Sequence, residues 1–480
     1  ACGMTLSRKA FFALFAIIII EGYIVLSSEL LAIRVTVPFI GSGTDVVSVI
    51  IAAVLLPLSF GYYYGGRFKP YTNRRGRFVG PRAKLANNIL ISTVFLVFGL
   101  SYGPLLFFME ELIKLGISNR IILASIYSGL FLIVPVFLLG QTIPLVSHYF
   151  SKEKLSRVTG KILFLSTIGS FLGATFSTLV LMATIGVHYT AALNFVLLTL
   201  LFFIVGRRKY ILSKILIVVL MAVGIFFNSD VQLKKLNIVA FNQYNVIQIF
   251  EKPGTDIKIF SLNKNSDSLY SPTQKLKHEY AHFIENHYIY TRELSEEPLN
   301  ILVLGAGGFT LGIDEDINIY HYVDIDPNLK DVAEDYFLGK ELGPNKTFHP
   351  VAAESFLIQG DEKYDVIVLD AYQGSITLPE NLVTQEFFQR VKKRLAPGGI
   401  VICNFIISPG FADPFSRNLD NTFSSVFPFA VRQVIGTYDG WSKTEMENVL
   451  FIYRQSPDEN NLKIYTDNKN TVYYDKPKSR

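Results

Sequence analysis

The sequence is poor in cysteine, tryptophan and charge. Of 480 residues, two are cysteine, one is tryptophan and 18% are charged. Cys2 and Cys403 lie far apart, so they predict neither a disulfide framework nor a cysteine metal site, and they do not report the redox compartment. Hydrophobic residues make up 50% of the chain, and the mean hydropathy of +0.34 is too high for an average soluble protein.

The apolar excess lies before residue 228 and falls into seven segments. Most of them have the roughly 20 residues needed to cross a bilayer core of about 30 Å. We therefore predict a seven-span α-helical membrane domain over residues 1–227. The last segment is short and carries Lys214 near its start, so it alternatively lies at the membrane interface. The seven segments are Phe11–Ile33, Val46–Tyr64, Asn88–Met109, Ile121–Val146, Ile162–Val187, Tyr189–Gly206 and Ile211–Phe227.

Acidic residues are missing from the loop between the second and third segments. Arg8, Lys9 and the loops after the fourth and sixth segments are also basic, so the positive-inside rule places the N-terminus in the cytoplasm of a multi-pass protein of the cell (inner) membrane. Seven crossings would put the residues after 228 on the extracytoplasmic side, and six would leave them in the cytoplasm. Beside a membrane such charge indicates topology or anionic-lipid contact rather than nucleic acid. The basic residues of the first loop are Arg67, Lys69, Arg74, Arg75, Arg77, Arg82 and Lys84.

Ionisable residues inside the predicted spans are candidate site residues. Glu21 and Glu29 lie on nearly the same helical face, about two turns apart. A carboxylate at membrane depth usually faces a partner or a water-filled cavity, which favours a site for a cation such as a polyamine or a proton. Alternatively, Glu29 pairs with Arg34 and Glu21 stays protonated. Gly169 and Gly173 form a small-xxx-small pair that predicts close helix packing.

Residues 228–298 lack the long apolar segments that precede them. Val231–Asn237 reads as a linker, and two strand-like runs, Tyr244–Phe250 and Asp256–Leu262, predict a β-hairpin around Pro253-Gly254. Lys275–His287 is a helix candidate. It carries His278 and His282 four residues apart, but no third ligand accompanies them, so we predict no metal site.

The stretch Leu299–Gly308 predicts the opening of a nucleotide-binding βαβ unit. An apolar run leads directly into a glycine turn, where the backbone must turn tightly and let a ligand approach. A second run, Ile319–Val323, is followed by acids that can accept ribose hydroxyls. The candidate cofactor-binding residues of this unit are Gly305, Gly307, Gly308, Asp324 and Asp326.

Strands and helices alternate over residues 299–480, which predicts an α/β doubly wound, largely parallel sheet. Ligands in such sheets bind beyond the carboxyl ends of the strands. The glycine loop, the acid pair, Glu354 and Asp370 all lie at such ends, so we expect one cleft. The predicted strands after the second are Thr347–Val351, Tyr364–Leu369, Ile400–Phe405, Ala430–Ile435 and Asn448–Tyr453, and the helices are Leu329–Leu338, Glu354–Ile358 and Thr384–Leu395.

These motifs together resemble the spermidine synthase (polyamine aminopropyltransferase) family, which has a class I methyltransferase (Rossmann-like) fold. Tyr244 and its following strand, with His278-Glu279, are similar to that family's N-terminal β-region and its tyrosine-histidine-glutamate element. The apolar region is similar to that of membrane-fused spermidine synthase-like proteins, so the resemblance covers nearly the whole chain. The motifs that carry it are Gly-Ala-Gly-Gly at 305–308, Val-Asp-Ile-Asp at 323–326, Tyr-Asp-Val-Ile-Val-Leu-Asp at 364–370, Leu-x-Pro-Gly-Gly at 395–399, Glu-Leu-Leu-Ala-Ile-Arg at 29–34 and Gly-Tyr-Tyr-Tyr-Gly-Gly at 61–66.

The resemblance implies a cofactor and a set of roles. The glycine loop would approach decarboxylated S-adenosylmethionine or S-adenosylmethionine, and Asp324 would hold its ribose. Asp370, with His278 and Tyr244, would bind a small amine substrate and take its proton, since a protonated amine has no lone pair with which to attack. No metal is implied.

The chain departs from the family pattern at three polar positions. Gln373 stands where a second aspartate is usual and cannot serve as a base. Ala352 stands where an acid reads adenine, with Glu354 as a possible stand-in, and the glutamine expected after the hairpin is replaced within Asn263–Asp267.

Three functions therefore stay open. The first is a membrane-anchored transferase of aminopropyl or methyl groups that uses an S-adenosyl donor. The second is a cation or polyamine transporter or sensor with a nucleoside-binding regulatory domain. The third is a catalytically degenerate subunit that docks in a homodimer or a larger membrane assembly. The glycine loop and Asp324 favour the first, and Gln373 with the outward topology favours the third.

Overall fold

Contacts divide the chain into two compact units. The structure is a computed structural model that describes residues 8–73, 76, 78–149, 155–206, 211–290, 297–372, 379–436 and 446–456. The predicted three-part division into 1–227, 228–298 and 299–480 stays a prediction. The first unit consists of Ala1–Gln274, Asp331–Gly339 and Tyr372–Thr377, and the second of Lys275–Lys330, Lys340–Ala371 and Leu378–Arg480.

The first unit is mainly helical. Its described helices are α1 (Arg8–Ile40), α2 (Thr44–Gly66), α3 (Pro81–Gly99), α4 (Tyr102–Lys114), α5 (Arg120–Phe131), α6 (Ile133–Gly140), α7 (Thr142–Ser147), α8 (Leu155–Phe176, continued by a π-helical turn, Ser177–Met182), α9 (Gly186–Val205), α10 (Ile211–Phe227) and α11 (Asp230–Lys235). Two short strands, β1 (Tyr71–Thr72) and β2 (Phe78–Val79), pair between α2 and α3.

Four of these helices are long and apolar enough to cross a membrane, and two bent pairs raise the number to as many as six. The third and fourth predicted segments are not single helices, because α3 and α4 meet at 69° and α5 and α6 at 43°. Proline explains both breaks. Pro104 and Pro135 lack the N–H that would bond the carbonyls of Leu100 and Phe131.

Helices α1 and α8 pack backbone against backbone. A Cβ added at Gly169 would lie 2.2 Å from the carbonyl oxygen of Ile19, and one at Gly173 would lie 2.3 Å from that of Tyr23. Only glycine permits this approach, so the predicted small-residue packing of this segment is confirmed.

Helix α10 has 17 residues and packs along α9 and α3. Gly224 lies against Phe195, and Phe227 contacts Phe98 near the end of α3. Helix α10 is shorter than the helices that are long enough to cross a membrane, and the segment predicted as a linker follows it. That prediction is wrong in part, since Asp230–Lys235 form α11.

A four-stranded antiparallel sheet follows, where the sequence predicted a two-stranded hairpin. Its strands β3 (Ile238–Phe241), β4 (Val246–Glu251), β5 (Lys258–Leu262) and β6 (Asn265–Tyr270) pair in chain order. Buried Arg34 of α1 donates from Nε to the carbonyl oxygen of Asn242 at 2.9 Å, and Lys264 pairs with Glu110 of α4 at 2.9 Å. These contacts hold the sheet at the end of the bundle opposite the basic loops.

The second unit contains a seven-stranded sheet that agrees with the predicted doubly wound fold. The order is β12-β13-β11-β10-β7-β8-β9, with β7 to β11 parallel to one another and β12 and β13 antiparallel at one edge. The strands are β7 (Asn300–Leu304), β8 (Ile319–Asp324), β9 (Lys346–Pro350), β10 (Tyr364–Leu369), β11 (Leu395–Ile407), β12 (Val431–Ile435) and β13 (Glu447–Arg454).

Described helices join the parallel strands β7 to β11, except between β7 and β8. The predicted helix after the glycine loop is absent: residues 305–318 form turns. Buried Lys277 bridges Glu285 at 2.7 Å and Asp314 at 3.1 Å, and Glu285 also accepts the N–H of Gly312, so this ion-pair network fixes the turns. The helices described in this part of the chain are α12 (Glu279–Ile284, continued by a π-helical turn, Glu285–Ile289), α13 (Leu329–Val332, continued by a π-helical turn, Ala333–Leu338), α14 (Ala353–Gln359), α15 (Gln385–Lys393) and α16 (Pro414–Val426).

Candidate active site

The glycine loop after β7 lies against the end of β10. Gly305 has a φ of +95°, and its N–H bonds the carbonyl oxygen of Val323 at 2.9 Å. A Cβ at this position would lie 2.2 Å from the carbonyl oxygen of Asp370. Gly307 also has a positive φ, of +49°. The absence of a side chain thus brings the ends of β7, β8 and β10 together.

Asp324 ends β8 and holds the glycine loop. Its Oδ2 accepts the N–H of Ala306 at 3.1 Å, and its Oδ1 accepts the N–H of Asp326 at 3.1 Å. Burial raises the pKa of Asp324 to about 6 despite these two donors. Each carboxylate oxygen has a further lone pair, so the group can still accept two hydroxyls.

Asp326 has a structural position. Its side chain is fully buried, and its Oδ1 accepts the N–H of Asn328 at 3.1 Å. It shapes the turn that follows β8, and its predicted contact with ribose stays a prediction.

Asp370 receives hydrogen bonds from two other elements. The hydroxyl of Tyr280 on α12 donates to Oδ2 at 2.6 Å, and Nδ2 of Asn404 on β11 donates to Oδ1 at 3.0 Å. Burial raises the pKa of Asp370, and both donors oppose that rise. A partly buried carboxylate with a raised pKa is suited to receive a proton.

Sequence reasoning missed Tyr280 and Asn404. Register explains Asn404, because Leu369 of β10 pairs with Cys403 of β11, so the next residues of the two strands lie side by side. An isolated amide in the apolar run Ile400–Phe405 was the available signal. For Tyr280 the sequence offered no signal beyond its position two residues after His278.

The histidines of the region have local roles. The ring of His278 stacks on that of Tyr280 with centroids 5.8 Å apart. His282 accepts the N–H of Lys277 through Nε2 at 3.0 Å. Among the described residues no group of three potential metal ligands comes together.

The remaining predicted site residues lie elsewhere or outside the described residues. Tyr244 belongs to the first unit, on the turn between β3 and β4, where its N–H bonds Oδ1 of Asn242. Glu354 begins α14 and pairs with Arg390 of α15 at 2.6 Å. Gln373 is outside the described residues.

A cavity of about 580 Å³ in the second unit does not coincide with these acids. It is lined by Lys277, Glu285 and Asn318 among others, and neither Asp324 nor Asp370 borders it. Oδ1 of Asn318 accepts the N–H of Leu299 just before β7 begins. The cavity therefore lies at the amino ends of the strands, whereas the two acids lie at the carboxyl ends.

The residues present fit an S-adenosyl nucleoside. Asp324 retains acceptor capacity at a strand end, beside the glycine loop whose Ala306 N–H it accepts.

Comparison with known proteins supports the same assignment. Residues 289–446 match the family model described as the spermine/spermidine synthase domain, which confirms the predicted resemblance for this part of the chain. A probable polyamine aminopropyl transferase of Bifidobacterium longum (strain NCC 2705) is 34% identical over 105 residues, which are 22% of this chain and 23% of that protein. The polyamine aminopropyltransferase of Vibrio vulnificus (strain CMCP6) is 29% identical over 147 residues, 29% of this chain and 48% of that protein.

The chain thus spans less than half the length of these curated relatives. A crystal structure of a probable spermidine synthase from Corynebacterium glutamicum ATCC 13032 matches with a TM-score of 0.39 and 21% identity, covering 47% of this chain and 80% of that one.

We expect Gly305→Ala to destabilise the protein more than Gly398→Ala does. Both glycines have positive φ, +95° and +74°, so alanine strains the backbone by about 1–2 kcal/mol at each. Only the Cβ at 305 also meets the carbonyl of Asp370, since nothing lies within 4 Å of the one at 398. Thermal unfolding of the purified full chain measures the difference. Equal losses in the two variants would contradict the close contact of the strand ends.

Proposed function

We propose that this chain, whose residues 289–446 match the spermine/spermidine synthase domain, is a membrane-anchored transferase that binds an S-adenosyl-type nucleoside and transfers an aminopropyl or related group to an amine. The observation that carries the proposal is the position of Asp370. Its main-chain carbonyl lies against Gly305 of the glycine loop, and its carboxyl is oriented by Tyr280 and Asn404.

The residues divide the work between binding and proton transfer. The donor, when bound, supplies a carbon activated by the adjacent sulfonium. Asp324 accepts the ribose hydroxyls and positions the nucleoside over the glycine loop. Asp370 binds the acceptor amine and takes the proton that the nitrogen loses as the new C–N bond forms, while the C–S bond of the donor would break and its sulfur would leave as a neutral thioether. Tyr280 and Asn404 orient that carboxylate.

The membrane anchor is supported by the apolar helices of the first unit. We further propose that the four-stranded sheet lies on the extracytoplasmic side. It contacts α1 and α4 at the end opposite the basic loops, and such loops stay in the cytoplasm.

That placement favours one second candidate, a non-catalytic subunit that docks in a membrane assembly. Such a subunit would keep the fold without needing a supply of donor. Ligand binding and turnover by the purified protein separate the two candidates.

We expect Asp324→Asn to abolish nucleoside binding. The probe is 5′-methylthioadenosine, which has no group that titrates between pH 5 and 8, and calorimetry measures its affinity for the purified full chain. Because ribose hydroxyls bond the ionised carboxylate and the pKa of Asp324 is about 6, the affinity should fall about tenfold between pH 7.5 and pH 5. Asp361→Asn, an exposed acid on the loop before β10, should bind normally. A pH-independent affinity would contradict the role given to Asp324.

We expect Asp370→Asn to lower the rate of transfer by about 10²- to 10⁴-fold, the usual contribution of a general base, while the affinity for 5′-methylthioadenosine stays within threefold.

Tyr280→Phe removes a donor to the ionised carboxylate, so the pKa of Asp370 should rise. The acidic limb of the pH–rate profile should then move up by about one pH unit.

The assay for both variants supplies decarboxylated S-adenosylmethionine with putrescine or spermidine and detects the product by mass spectrometry. An unshifted limb in Tyr280→Phe would show that the tyrosine does not act through Asp370. Nucleoside binding without turnover in the unmodified protein would favour the docking subunit.

We expect Lys252→Cys, on the turn between β4 and β5, to react with a membrane-impermeant maleimide in intact cells, and Lys69→Cys, in the basic loop, to be protected. Both side chains are exposed. In both variants Cys2 is replaced by serine. Cys403 should not react with the maleimide, because it is buried and its thiol pKa is raised. Protection of both positions until lysis would mean an even number of crossings.

A further inference from the structure

A cavity of about 320 Å³ lies inside the helical unit. Its walls are mainly apolar and come from α1, α3, α7 and α9, with Arg82 and Tyr149 among the lining residues. These helices reach the cavity by the ends that adjoin the basic loops, so it lies near that end of the bundle.

A polar layer lies one helical turn deeper than the cavity on three of these helices. Glu21 follows Ile17 by four residues on α1, Asn88 follows Leu85 by three on α3, and Thr142 precedes Leu145 by three on α7. The three apolar residues line the cavity. The three polar residues are almost fully buried, at 1%, 1% and 0% exposure.

Glu21 is the ionisable member of this layer, and neither its Oε2 nor Oγ1 of Thr142 has a hydrogen-bond partner among the described residues. Asn88 donates to the side chain of Gln141 at 3.0 Å and to the carbonyl oxygen of Leu138 at 3.1 Å. Oε2 of Glu21 is buried and accepts no hydrogen bond from the described residues. An ionised carboxylate in such a place is very costly unless a cation accompanies it.

Arg82 does not supply that cation. Its guanidinium donates to the carbonyl oxygens of Val205 and Gly206, the end of α9. Arg34, a buried arginine of α1, donates to Asn242 and Asn263 of the small sheet. Among the described residues no basic side chain pairs with Glu21, so its carboxyl is left to a bound cation or to a proton.

We propose that Glu21 and this cavity form an ammonium-binding site within the helices, separate from the transferase site. Its ligand is a primary alkylammonium ion. The ammonium group pairs with the Glu21 carboxylate beside Asn88 and Thr142, and the hydrocarbon chain lies against Ile17, Leu85 and Leu145. The proposal does not depend on transfer activity in the second unit.

The apolar lining favours one charge over several. A second ammonium on the same ligand would lie among apolar side chains or near the guanidinium of Arg82, and both environments disfavour it. The site therefore discriminates monoamines from diamines of equal length.

Carbodiimide labelling of the purified full chain tests the site. N,N′-Dicyclohexylcarbodiimide modifies carboxyl groups in apolar surroundings, and peptide mass spectrometry locates the product. We expect Glu21 to be labelled, and n-hexylamine at pH 7.5, where it is protonated, to slow labelling at least fivefold. n-Hexanol, which is equally long but uncharged, and 1,6-diaminohexane should protect much less. Equal protection by n-hexylamine and n-hexanol would overturn the proposal.

Thermal unfolding supplies a second readout that needs no labelling. n-Hexylamine should raise the unfolding midpoint of the unmodified protein and of Glu111→Gln, an exposed glutamate of α4 that serves as the matched control. Glu21→Gln, which keeps the shape of the side chain but not its charge, should show no ligand-dependent rise. An equal rise in Glu21→Gln, or none in the unmodified protein, would exclude Glu21 as the ammonium ligand.

Discussion

The backbone contact between Gly305 and Asp370 is the constraint on which the candidate site depends. It brings the ends of β7 and β10 so close that a single methyl group would separate them. Because β7 and β10 are parallel neighbours, that contact also places Asp370 at the same ends of the strands as the loop that Asp324 holds. The proposed nucleoside binding and proton transfer are thus assigned to Asp324 and Asp370, which lie at the carboxyl ends of strands in one sheet.

The chemistry available to Asp370 follows from a balance between burial and hydrogen bonding. Burial favours the neutral acid, whereas Tyr280 and Asn404 favour the carboxylate, and burial has the larger effect. A fully solvated aspartate would be too weak a base to take a proton from an amine effectively. The two donors come from a helix and from a neighbouring strand, so the fold itself adjusts the basicity of this group.

Buried charges in the helical unit have contrasting environments. Arg34 donates from Nε and Nη2 to Asn242 and Asn263 and so joins the small sheet to the helices. Among the described residues Oε2 of Glu21 accepts no hydrogen bond, and Glu21 lies one turn beyond a cavity. Both side chains are nearly inaccessible to water. We interpret the contacts of Arg34 as structural and Glu21 as part of the proposed binding site.

The sequence by itself determined the elements whose signal is local. Apolar runs of sufficient length predicted the helices, alternating runs predicted the parallel sheet, and the glycines with Asp324 and Asp370 marked the strand ends, because periodicity and backbone freedom are properties of neighbouring residues. The tertiary structure decided what depends on distant partners. Only register places Asn404 beside Asp370, only the Lys277 ion pairs replace the helix expected after the glycine loop, and only helix packing leaves a cavity before Glu21. Such contacts join residues far apart in the chain, and no local pattern encodes which of them will meet.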